Sequence, residues 1–145
     1  MKRIDFENHF YDQSLMTART EPPYYRRETD LITWSDSITM PQGILLKRLL
    51  DVDGGRLALM DQLGIDCAVL SCSPGAEQLD TDESVRICRA TNDALHALTR
   101  KYPGRYLGSA ILPVKDVPAA MSELERCVRD LGFVAWHTHS NYGAT

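Results

Sequence analysis

Ile4-Asp5-Phe6-Glu7-Asn8-His9-Phe10 alternates apolar and polar side chains, the period-2 pattern of a strand. An ideal strand of this sequence puts side chains 5, 7 and 9 on one face and 4, 6, 8 and 10 on the other. Periodicity then lapses. Residues 11–55 contain Glu21-Pro22-Pro23-Tyr24-Tyr25-Arg26-Arg27 and end in Asp53-Gly54-Gly55, with few recurring apolar positions. They read as a long loop or insertion, which inside a compact domain is usually functional or ordered by a partner. One short helical turn is expected within it, over Ile44–Leu50.

From Arg56 onward the pattern is regular. Leu57, Met60 and Leu63 share a helical face, and Gly64 is placed to end that helix. Cys67-Ala68-Val69-Leu70-Ser71 is a continuous apolar run suited to a strand covered on both faces. After a Ser73-Pro74-Gly75 turn, Asp80 and Glu83 have the spacing of a capping box. They open a helix over residues 81–101, with Val85, Cys88, Leu95 and Leu98 facing inward. Residues 106–112 form the next strand. Asp116 caps a helix carrying Met121, Leu124, Val128 and Leu131, Gly132 closes it, and residues 133–136 form a last strand. Alternation of this kind builds βαβ units with right-handed crossovers, so the fold class is α/β with a parallel sheet of about four strands.

At 145 residues, 43% hydrophobic and 25% charged, the chain is expected to form one globular domain rather than a disordered segment. A net charge of −4 lacks the basic excess of a phosphate-tracking nucleic-acid binder. No apolar run approaches the roughly 20 residues of a membrane helix. Met1-Lys2-Arg3-Ile4-Asp5 returns to charge too soon for a secretory signal, so a cytoplasmic location is expected. Cys67, Cys72, Cys88 and Cys127 form no Cys-x-x-Cys pair and read as reduced core thiols.

Chemistry concentrates at two places. Glu7-x-His9 can present a carboxylate and an imidazole on one face of a strand, within reach of one divalent ion, although a polar strand face is the plainer account of the same pattern. His137-x-His139 closes the last strand similarly, and could equally lie on a solvated loop or an interface. On a parallel sheet both pairs fall at carboxyl ends of strands, where α/β enzymes build their sites. His96 reads as a surface histidine, and Trp34 and Trp136 as packing residues. Ser71-Cys72-Ser73-Pro74 can line a pocket but lacks the Gly-x-Ser-x-Gly elbow of a serine nucleophile. Neither Gly-x-Gly-x-x-Gly nor a P-loop is present.

Taken in order, Glu7-x-His9-Phe10, Arg56-Leu57-x-Leu59-Met60-Asp61-x-x-Gly64-Ile65-Asp66, Val69-Leu70-Ser71, Asn92-Asp93, Pro103-x-Arg105, Leu112-Pro113 and residues 123–134 resemble the amidohydrolase-2 branch of the metal-dependent amidohydrolases. That family includes decarboxylases of γ-resorcylate, 5-carboxyvanillate and aminocarboxymuconate semialdehyde. The resemblance implies a TIM (β/α)8 barrel of which residues 1–145 are the N-terminal half, as a partial barrel domain with a long loop at about 11–55. It also implies a divalent ion, zinc first and manganese second, with Glu7 and His9 as ligands. By the same resemblance His139, Ser73 and His137 contact substrate, although Ser73-Pro74-Gly75 departs from the resorcylate enzyme's pattern. The family's later metal histidine and last-strand aspartate have no counterpart, so the general acid or base is expected beyond residue 145.

The activity implied is non-oxidative decarboxylation of a hydroxyaromatic or related unsaturated acid. Metal-dependent hydrolysis of an amide, ester or lactone is one alternative, and a catalytically incomplete half barrel is another. Expected partners are a small-molecule carboxylate and either a second copy of the chain or a complementary C-terminal half.

Overall fold

The strand Cys67–Cys72 is buried along its whole length and lies inside a parallel sheet, as its unbroken apolar run requires. The computed structural model describes residues 1–15, 25–26, 31–33, 39–41, 44–72, 76 and 79–138. In chain order the elements are β1 (Ile4–Phe10), β2 (Tyr25–Arg26), β3 (Leu31–Thr33), β4 (Thr39–Pro41), α1 (Ile44–Leu50), α2 (Gly54–Leu63), β5 (Cys67–Cys72), α3 (Thr81–Lys101), β6 (Tyr106–Ala110), α4 (Val117–Arg129) and β7 (Ala135–Trp136). The main sheet has the order β1-β5-β6-β7 with every pair parallel. Met60 of α2, Ile87 and Leu95 of α3 and Cys127 of α4 join Leu70 and Tyr106 of the sheet in one core.

Local chemistry sets the boundaries. Gly64 ends α2 with φ of 66°, a left-handed conformation that costs glycine little. Asp116 caps α4 by accepting from the Ala119 amide at 3.0 Å. The capping box expected at Asp80 does not form, because Asp80 makes no side-chain cap hydrogen bond; its carbonyl accepts the first helical bond, from the Ser84 amide. On β6, Gly108 passes directly beneath the Phe133 ring, and a methyl group there would overlap the ring carbons.

Three expectations change. Tyr25–Arg26, Leu31–Thr33 and Thr39–Pro41 form a small antiparallel sheet, β2-β3-β4, whose strands of two or three residues are too short to show periodicity. The pairing of β1 with β5 shifts register between Asp5 and Asn8, so Asp5 leaves the face expected to hold Glu7 and His9. Its carboxylate accepts from Asn8 Nδ2 at 2.7 Å, which places those two side chains together. On α4, Met121 and Val128 are 61% and 54% exposed, and the buried positions are Ala120, Glu123 and Cys127.

The last change has a polar cause. Asn92 in α3 is fully buried; its amide nitrogen donates to the Ile111 carbonyl and to Glu123 Oε1, both at 2.9 Å, and its oxygen accepts from the Ile111 amide at 3.0 Å. Arg126 donates to both oxygens of Glu123, at 2.9 and 2.6 Å, and to Asp93 at 2.7 Å. Burial alone would raise the Glu123 pKa, but hydrogen bonds from Arg126 and Asn92 prevail and hold it below the ordinary 4.5. The α3–α4 seam is therefore polar at Glu123; Met121 and Val128 turn outward, and Leu124 and Leu131 are partly buried against the core.

All four cysteines are buried thiols outside any disulfide, as expected. His96, expected at the surface, is half-buried with Nδ1 3.1 Å from the Leu131 carbonyl. Trp136 is 43% exposed rather than packed, and Trp34 lies outside the described residues. Among the described residues no helix is long and apolar enough to cross a membrane.

Candidate metal and substrate site

β1 and β7 are the two edge strands of the main sheet, separated by β5 and β6. In a flat sheet three strand spacings would put those edges about 14 Å apart. Yet the His9 and His137 rings meet edge to face, with centroids 5.1 Å apart and planes at 85°. Contact across that span requires the sheet to curl and both imidazoles to project to its concave side. The curled parallel sheet thus brings the ends of its first and last strands together at its carboxyl edge.

Glu7 joins this meeting point. Its Oε2 is 3.6 Å from His9 Nε2, and its side chain is 78% exposed, so the carboxylate remains free to accept another partner. His9 Nδ1 is buried and has no hydrogen-bond partner among the described residues. Leaving such an atom unpaired costs on the order of 1–3 kcal/mol, and orphaned buried nitrogens of this kind often mark a missing ligand. A carboxylate oxygen and an imidazole nitrogen are donors that suit a divalent ion. Among the described residues no group of three or more His, Cys, Asp or Glu is arranged to hold a metal, and Glu7 with His9 offers two of the three or four protein ligands that zinc sites use.

Of the residues singled out from sequence, the fold gathers Glu7, His9 and His137. Ser73 and His139 lie outside the described residues. Cys72 is buried at the end of β5, paired in register with Phe10. Cys127 is no nucleophile candidate: burial above all, then the adjacent Glu123 charge, pushes its thiol up to about 12. Sequence reasoning missed the role of Arg56, which it noted only as part of a motif. The Arg56 guanidinium donates to the His9 carbonyl at 2.7 Å and to Asn8 Oδ1. A basic residue opening an amphipathic helix carries no mark of so distant a partner.

A family model described as amidohydrolase matches residues 4–144. Over 92 residues the chain is 46% identical to a γ-resorcylate decarboxylase of a Rhizobium species, covering 62% of this chain and 28% of that protein. The solved 2,6-dihydroxybenzoate decarboxylase from Rhizobium superimposes with a TM-score of 0.72 at 33% identity, covering 94% of this chain and 38% of the other. The D314N variant of the 5-carboxyvanillate decarboxylase from Novosphingobium aromaticivorans, solved with manganese and 3-methoxy-4-hydroxy-5-nitrobenzoic acid, superimposes with a TM-score of 0.81 at 29% identity. That match covers 97% of this chain and 42% of the other. The half-barrel architecture is thus that of the first part of a TIM barrel. The chain spans less than a third of the length of the curated relatives it matches.

Proposed function

The chain belongs to the amidohydrolase family, and from that premise we propose that it carries the first-strand portion of the divalent-metal site of a non-oxidative decarboxylase acting on a hydroxylated aromatic carboxylate. The observation that carries the reading is the convergence of Glu7, His9 and His137 at the carboxyl edge of the curled sheet, with His9 Nδ1 buried and unpaired. Glu7 and His9 are the proposed metal ligands. His137, packed against the His9 ring, borders the position a substrate carboxylate would take, and Ser73 and His139 are proposed as further substrate contacts.

A divalent ion held there would supply a positive template and Lewis acid for the substrate's phenolic and carboxylate oxygens. Manganese accompanies the carboxyvanillate relative, so manganese rather than zinc is the ion to try first. Glu7 would contribute negative charge, and His9, its carbonyl fixed by Arg56, would contribute a neutral nitrogen. His137 can donate an N–H to a carboxylate oxygen and orient the carbon–carbon bond that breaks. In the overall reaction that bond's electron pair stays on the ring carbon and takes up a proton as carbon dioxide leaves. The proton donor and the remaining metal ligands are proposed to come from parts of the barrel that the relatives possess and this chain does not match, held in a complementary half or supplied by a second subunit. The expected location remains the cytoplasm.

Two substitutions test the ligands. Glu7→Gln and His9→Ala should each weaken Mn2+ binding at least ~10-fold, read by electron paramagnetic resonance of free Mn2+. Each should also abolish any formation of resorcinol from 2,6-dihydroxybenzoate. Wild-type Mn2+ affinity in both variants would overturn the assignment.

A further inference from the structure

We propose that Arg56 is a positioning residue for the Glu7–His9 pair: its guanidinium ties the carboxyl end of β1 to the end of α1 and so sets the direction of the His9 ring. Every donor group of the side chain is engaged. Nε donates to the Asp51 carbonyl at 2.9 Å, Nη1 to the His9 carbonyl at 2.7 Å and to Asn8 Oδ1, and Nη2 to the Arg48 carbonyl at 3.0 Å and the Leu49 carbonyl at 3.4 Å. The Leu49 carbonyl also accepts from the Tyr11 amide at 3.0 Å, so the same brace grips the chain on both sides of Phe10.

The location explains why a brace is needed. β1 is an edge strand with β5 as its one partner in the main sheet, and its register slips between Asp5 and Asn8. After that slip the pairing resumes at Asn8, His9 and Phe10, but the strand is held by the ladder from one side only. A guanidinium suits the task because its planar fork presents five donors at set angles, to acceptors gathered at the end of a short helix and the end of β1. Lysine keeps the charge but cannot reach five acceptors. With the His9 carbonyl held, the backbone dihedrals at His9 are fixed, and so is the vector on which its imidazole meets His137 and Glu7. The His9–Ser71 register is the nearest backbone restraint from the other side.

The inference rests on the proposed metal site, and its test separates the two. In the 145-residue chain, Arg56→Lys is expected to keep a cooperative thermal transition yet lose the nuclear Overhauser contact between the His9 and His137 rings. Mn2+ affinity should fall at least ~10-fold. A purely structural role would lower the melting temperature and leave the ring contact in the folded protein intact. Should Arg56→Lys not fold, Arg56→Gln decides, since it is uncharged and cannot reproduce the fork that holds the His9 carbonyl: a weakened ring contact supports the inference. A wild-type His9–His137 contact in either folded variant overturns it. The metal reading fails on different evidence, namely unchanged Mn2+ affinity in Glu7→Gln and His9→Ala.

Discussion

Asn92 and Glu123 are the side chains on which the helix layer turns. Asn92→Ala would strand both backbone groups of Ile111 in a buried seam and take from Glu123 Oε1 one of its donors. A loss of about 3 kcal/mol in urea unfolding is expected, and a loss under about 1 kcal/mol would contradict the network. Glu123 also sets a pH dependence. Its folded pKa lies below 4.5, so the unfolded chain takes up the proton first as acid is added. The stability it contributes is whole above that ordinary value and drains away as pH falls through the folded one. Glu123→Gln should therefore flatten the acid limb of a stability profile below about pH 4.5. Glu7, His9 and His137 could be found in the sequence because a two-residue spacing on a strand and a histidine at a strand's end are local facts. Asn92 with Glu123, 31 residues apart, and Arg56 with His9, 47 apart, could not, since their meaning arises only when distant elements dock.

At the scale of elements, the alternation of strands and helices was legible because each carries its own period. The helix over Thr81–Lys101 and the strand beginning at Cys67 fall where the pattern placed them. What escaped was irregular or very short. An added residue in β1 has no side-chain signature, so Asp5 was assigned the wrong face. Strands β2 to β4 offer no periodicity to read. The stripe of α4 is visible in the sequence, but the exposure of Met121 and Val128 follows from a buried glutamate that hydropathy ranks as a surface residue. Gly108 gives this scale its test. Gly108→Ala should cost roughly 1–3 kcal/mol by overpacking Phe133, and Phe133→Leu should recover part of that loss in the double variant. Additive effects in thermal melts would contradict the close approach.

At the scale of the molecule, the curled sheet ends among the described residues in two edge strands, and each leads to a residue of the candidate site: β1 to His9, β7 to His137. Exposed apolar side chains lie on the helix that follows β1 in the main sheet's order and on the helix that precedes β7, Leu59 and Leu63 on α2 and Met121 and Val128 on α4. A closed barrel removes edges of this kind, which agrees with relatives whose chains are more than twice as long as the part matched here. The central claim is that the curled sheet presents Glu7 and His9 to one divalent ion. Titration of the protein with Mn2+, followed by electron paramagnetic resonance, tests it most directly. Saturable binding near one ion per chain, lost in both Glu7→Gln and His9→Ala, is the expected result. Binding that neither substitution weakens, or no binding even when a complementary half is supplied, would contradict it.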